Sequence, residues 1–110
     1  MGKMRRAARR DANDGCITQA LRAAGFTVMD LAGAGNSVPD KLVTRLKLDG
    51  TRWVQWVEIK SPKGKLREGQ KAFRDIFEPR QEYYLARDAQ ITVTELMSRY
   101  LSTDPTSNSN

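Results

Sequence analysis

The segment Arg52-Trp53-Val54-Gln55-Trp56-Val57-Glu58-Ile59-Lys60 decides the fold. Successive side chains of a strand point to opposite faces, so Trp53, Val57 and Ile59 fill one face while Val54 and Trp56 carry apolar character onto the other. Such a strand is packed rather than lying free on a surface. Glu58 and Lys60 share a face at its end, where charges are costly unless they are paired or hold a metal.

Reading outward, Asp49-Gly50 is a hairpin turn signal that joins this strand to an antiparallel neighbour, Asp40 to Leu48, entered in extended form after Pro39. Gly33-Ala34-Gly35-Asn36-Ser37 reads as a loop, and Phe26 to Leu31 as a short strand before it. The first helix has Asp11 as N-cap, Ile17, Ala20, Leu21 and Ala24 at helical spacing, and Gly25 as its stop. Beyond the break at Pro62 and Gly64, Leu66, Phe73 and Phe77 mark one side of a second helix that Pro79 ends. Tyr83 to Arg87 reads as a strand. Thr92 and Glu95 form a capping box for a last helix carrying Leu96 and Tyr100. The order, helix, three strands, helix, strand, helix, predicts an α/β sandwich with a mixed sheet flanked by helices. Residues 1–10 read as a basic arm, 11–101 as a single domain, and 102–110 as a polar, disordered tail.

Composition narrows the chemistry. At 110 residues the chain suits one domain with a core that needs no disulfide or structural metal. The one cysteine, Cys16, reads as a small core residue, and the absence of Cys-His clusters argues against zinc. The chain has no histidine, which removes catalytic triads, Cys-His pairs and histidine-based nucleases. A hydrolase built from it must activate water through a metal, helped by a carboxylate or lysine. The N-terminal residues are polar and basic with no apolar stretch behind them, so no signal peptide or membrane span is expected, and the cytoplasm is the expected compartment.

Lysine and arginine outnumber the acids by 19 to 13, a net charge of +6 that favours a polyanionic partner. Lys3, Arg5, Arg6, Arg9 and Arg10 form one block. Lys60, Lys63, Lys65 and Arg67 form another beside Glu58. Asp40 and Glu58 supply the oxygen ligands that suit a hard divalent cation, and Lys60 can orient a water or neutralise charge on a phosphate. The arrangement points to phosphodiester hydrolysis. The bland counterparts are a turn residue after proline for Asp40 and charge alternation on an exposed strand for Glu58 and Lys60.

Taken together, Pro39-Asp40, Glu58-Ile59-Lys60, the turn between their strands, and Lys65-Leu66 with Gln70 opening the next helix resemble the PD-(D/E)XK nuclease superfamily. Within it, the chain is similar to the small virus-type replication-repair nuclease domains of phage genomes. Arg10-Asp11-Ala12-Asn13, Ala20-Leu21-Arg22 and Gly25 extend the resemblance over nearly the whole chain. It implies a restriction-endonuclease-like sandwich in which Asp40, Glu58 and the Ile59 carbonyl bind Mg²⁺ or Mn²⁺, while Lys60 steadies the attacking water. It also implies a glutamine near the metal, which is Gln70 here. Four residues after Leu66 and three before Phe73, Gln70 faces inward, and its amide needs partners whether it serves the site or caps the core.

The first helix departs from the family pattern. Relatives often carry a glutamate there, and the alignment places Cys16 at that position. Asp14 is the available substitute, although an acid in a first helical turn is equally explained by the helix dipole. The resemblance implies DNA as the substrate, with branched, flap or replication-associated structures in scope, and a phage-encoded protein acting inside a bacterial host. A homodimer placing two active sites would suit so small a domain. The rival readings are a catalytically inactive nucleic-acid-binding protein that keeps the fold, and a protein-interaction module.

Overall fold

The computed structural model describes residues 12–103. The first helix, α1 (Ala12–Ala23), buries Ile17 and Leu21 on its inner face. It ends in a Schellman motif: the Gly25 N–H donates to the Arg22 carbonyl at 3.0 Å and the Phe26 N–H to the Leu21 carbonyl at 3.1 Å. Gly25 takes φ +100°, a conformation that favours glycine, and a Cβ there would lie 2.8 Å from Arg45 Nη1, which would have to shift.

Four strands follow the order β1 (Thr27–Asp30), β2 (Lys41–Leu46), β3 (Arg52–Ile59) and β4 (Tyr83–Ala86) across one sheet. β1 with β2 and β2 with β3 are antiparallel, whereas β3 and β4 are parallel. The parallel pair is connected through α2 (Glu68–Phe77) and a 3-10 turn over Glu78–Arg80. The described residues end with α3 (Ala89–Thr103). The expected mixed sheet and element order are both present.

β3 is the spine. Trp53, Val57 and Ile59 pack with Ile17, Leu21, Phe26, Val28, Val43, Leu96 and Tyr100 into the core between one sheet face and the helices α1 and α3. Phe26, Trp53 and Tyr100 meet with ring centroids 5.7 to 6.4 Å apart. On the opposite face Trp56 packs against Phe73 and Phe77 of α2, at 5.2 and 5.8 Å between centroids. The second face of β3 is therefore covered at Trp56 and Glu58, whereas Val54, expected to extend that apolar face, is exposed.

Several boundaries differ from expectation. Asp40 precedes β2 and Leu66 precedes α2. Thr92 and Glu95 form no capping box, because the last helix begins one turn earlier. Asp88 Oδ1 accepts the Ile91 N–H at 2.8 Å there, Thr92 is fully buried inside the helix, and Glu95 pairs with Arg99 at 2.8 Å. The same helix takes in Ser102 and Thr103, the first two residues of the expected tail. Cys16 is exposed, not a core residue, because Ile17 and Leu21 set the inward face of α1. Asp11, the arm and residues 104–110 lie outside the described residues. No described helix is long and apolar enough to cross a membrane.

Candidate metal and nucleic-acid site

The hairpin register creates the site. Lys41 lies opposite Val57, so β2 pairing stops just short of Ile59, whose N–H would lack a backbone acceptor on that side. Asp40 supplies one from its side chain: Oδ2 accepts the Ile59 N–H at 3.1 Å. The Asp40 backbone is held in turn by its carbonyl, which accepts the Leu31 N–H at 2.7 Å, and by the fully buried Pro39. Alternate residues of a strand turn N–H and C=O toward the same neighbour, so the Ile59 carbonyl leaves β3 on the Asp40 side.

Glu58 comes off the face of β3 that carries Trp56, under α2, and is only 3 % exposed. Gln70 Nε2 donates to Glu58 Oε2 at 3.1 Å, and Gln70 Oε1 accepts the Arg67 N–H at 2.8 Å. One buried amide thus closes the start of α2 and fixes the glutamate. Lys60 Nζ stands 3.8 Å from Glu58 Oε2. Burial, followed by the nearby Asp40 charge, pushes the Glu58 carboxyl up to about 7, against the opposing pull of Lys60. Asp40, Glu58, Lys60 and Gln70 are brought together at one end of the sheet.

Asp14 is not brought to them. It belongs to α1, on the opposite face of the sheet, where Lys41 Nζ lies 3.2 Å from its Oδ1 and Thr18 donates to the same oxygen at 3.4 Å. Lys41 also pairs with Asp30 at 3.3 Å. Lys41 lies opposite Val57 and shares its core-side face, whereas Glu58 comes off the other face, so the sheet separates Asp14 from Glu58. Among the described residues no group of three Asp, Glu, His or Cys side chains is placed to hold a metal ion.

Lys63, Lys65 and Arg67 are exposed on the segment that joins β3 to α2, beside Glu58 and Gln70. Arg87 shapes that segment, its Nη1 donating to the carbonyls of Ser61 and Gly64 at 2.7 Å each. Asn13 ties α1 to the same corner through the carbonyls of Lys60 at 2.8 Å and Arg87 at 2.9 Å. Lys3, Arg5, Arg6, Arg9 and Arg10 lie outside the described residues.

Three residues near the site were given no role there by the sequence reading. Arg87 and Asn13 act through backbone carbonyls; Asn13 belongs to the segment Arg10-Asp11-Ala12-Asn13 noted in the sequence, but no role at the site was read from it. Tyr83, on the Trp56 and Glu58 face, is 1 % exposed, and its hydroxyl has no hydrogen-bond partner among the described residues. Burial and the Glu58 charge both raise its pKa. A tyrosine opening a strand reads as core, and only the register places it behind Glu58.

No family model matches the chain, and neither a curated protein nor a solved structure is similar enough to match it.

Proposed function

We propose that the chain is a Mg²⁺- or Mn²⁺-dependent nuclease of the restriction-endonuclease-like kind, hydrolysing DNA phosphodiester bonds at Asp40, Glu58 and Lys60. The observation that carries this reading is the placement of two carboxylates, one of them almost fully buried, at the end of a packed strand with a lysine 3.8 Å away. Burial beside Asp40 raises the cost of the Glu58 charge, and a divalent cation would relieve that cost.

The donor set suits such a cation. Asp40, Glu58 and the Ile59 carbonyl offer hard oxygen ligands, and Mg²⁺ commonly takes few protein ligands and fills its remaining positions with water and phosphate oxygens. When bound, the ion would lower the pKa of a coordinated water and polarise the phosphate. Lys60 then orients that water or meets the charge developing on the phosphate. Gln70 holds Glu58 in place. Lys63, Lys65 and Arg67 line the approach with positive charge, which steers a polyanion without reading its sequence.

The engagement of Asp14 by Lys41 favours one metal over two, and it also keeps open the reading of a binding protein without catalysis. The test incubates the protein with linear, single-stranded and branched DNA in Mg²⁺, Mn²⁺ or EDTA. Cleavage that requires metal and disappears in Asp40→Ala is the expected result. Binding without cleavage would replace the enzyme by the inactive binder, and cleavage by Asp40→Ala would overturn the site.

A further inference from the structure

The opposite end of the sheet holds chemistry that the nuclease reading leaves unused. A cavity of about 330 Å³ opens there, lined in part by Lys47, Arg52, Trp53, Arg80, Glu82 and Arg99. Arg52 and Glu58 lie toward opposite ends of β3, six residues and roughly 20 Å apart in extended chain. Four of the named lining residues are cations and one is an acid. Lys47, Arg52 and Arg80 make no ion pair among the described residues.

Arg99 distinguishes this cavity from a merely basic surface. Its Nε donates to Glu95 at 2.8 Å, and its Nη1 donates to Gln55 Oε1 and the Tyr83 carbonyl at 3.1 Å each and to the Gln81 carbonyl at 3.4 Å. The guanidinium also lies 5.2 Å from the centroid of the Tyr84 ring. These contacts fix its plane and leave Nη2 without a partner among the described residues.

Gln55 supplies the second observation. It is fully buried on the core face of β3, between Trp53 and Val57, where an aliphatic residue would pack without polar cost. Its amide is satisfied only by this cluster: Oε1 accepts from Arg99, and Nε2 donates to the Gln81 carbonyl at 2.7 Å. A buried amide whose nitrogen is anchored on the Gln81 carbonyl and whose oxygen accepts from Arg99 orients that arginine.

We infer that the cavity is a phosphate-binding site, with Arg99 as a positioned donor and Lys47, Arg52 and Arg80 surrounding the anion. An arginine held in this way is preorganised for oxyanion recognition, and the flanking cations offset the negative charge. The volume lies at the small end of ligand pockets, which suits a phosphate or diphosphate group better than a large cofactor. That chemistry is shared by a free phosphate ligand and by a nucleic-acid backbone. The inference does not rest on metal chemistry at Glu58.

The test is a ¹H–¹⁵N NMR titration of the full chain in EDTA, with pyrophosphate in one arm and a short DNA duplex in the other. Saturable shifts of the Arg99 Nε–H and Trp53 indole signals are expected, with about tenfold weaker binding in Arg52→Ala/Arg80→Ala, whose side chains are exposed and outside the core. Gln55→Leu, if folded, should lose the Arg99 response while the other cations remain. A response to pyrophosphate alone assigns a free phosphate ligand, and a response to the duplex, with or without pyrophosphate, assigns a nucleic-acid backbone. Silence of these signals in both arms, or shifts unchanged in the double variant, would overturn the inference whatever the outcome of the cleavage assay.

Discussion

Two acids buried on opposite faces of the sheet, Asp14 and Glu58, have similar exposure but opposite surroundings. Asp14 has Lys41 at 3.2 Å and the Thr18 hydroxyl at 3.4 Å, and Lys41 is itself 2 % exposed and dedicated to that pair and to Asp30. Glu58 has a lysine at 3.8 Å, an amide at 3.1 Å and a second carboxylate nearby. The first acid is neutralised by the fold, whereas the second is left with charge in need of a partner. Burial alone therefore does not mark a site; the quality of the compensation does.

The largest effect should follow from removing the good partner. Lys41→Ala leaves Asp14 uncompensated and Asp30 without its lysine, and should cost about 3–5 kcal/mol in urea unfolding. A loss below about 1 kcal/mol would show that the pair contributes little, and the contrast with Glu58 would weaken. Lys60→Ala, by comparison, should unfold at nearly the wild-type denaturant concentration while turnover falls by roughly 10²–10³-fold. Metal affinity, followed by calorimetry, should be largely kept. Equal loss of affinity and turnover would make Lys60 part of the metal site's support.

A pH series sharpens the comparison further. The folded protein holds the Glu58 proton up to about 7, against an ordinary value of 4.5, so between those limits the native state binds more protons than the unfolded one. The contribution of Glu58 to stability is thus fully present below the ordinary value and is lost as pH rises through the folded value. Glu58→Gln should remove that slope and stabilise the metal-free protein by about 1–3 kcal/mol at pH 8, with little effect at pH 4. A variant less stable than wild type at pH 8 would mean that the carboxylate is already compensated. The smallest effect belongs to Gln70→Ala, which removes the acceptor for the Arg67 N–H and a donor to Glu58. About 1 kcal/mol is expected by thermal unfolding, together with weaker metal binding.

What was legible in the sequence was what local chemistry controls. The alternation through Trp53–Ile59 identified a strand packed on its core face and, at Trp56, on the other, although Val54 is exposed; Asp49-Gly50 identified its hairpin, and Gly25 the end of the first helix. The position of Gln70 between Leu66 and Phe73 identified an inward amide. Thr92 misled because a threonine followed three residues later by glutamate resembles a cap in any context, while Asp88 provided the actual one. Whether Asp14 faced Lys41 or Glu58 depended on which face of the sheet receives α1, and no local pattern carries that information. The same limit hid the roles of Tyr83, Asn13 and Arg87, and it hid the Gln55–Arg99 contact, which joins residues far apart in the chain through the register of β3 and β4.

The central claim is that Asp40 and Glu58 hold a divalent cation and Asp14 does not. Titration of Mn²⁺ into wild type, Asp40→Asn, Glu58→Gln and Asp14→Asn at pH 8, followed calorimetrically, tests it most directly. The account predicts saturable binding by wild type and Asp14→Asn, with binding lost in the other two. Loss in Asp14→Asn with the fold intact, or retention in both Asp40→Asn and Glu58→Gln, would contradict it.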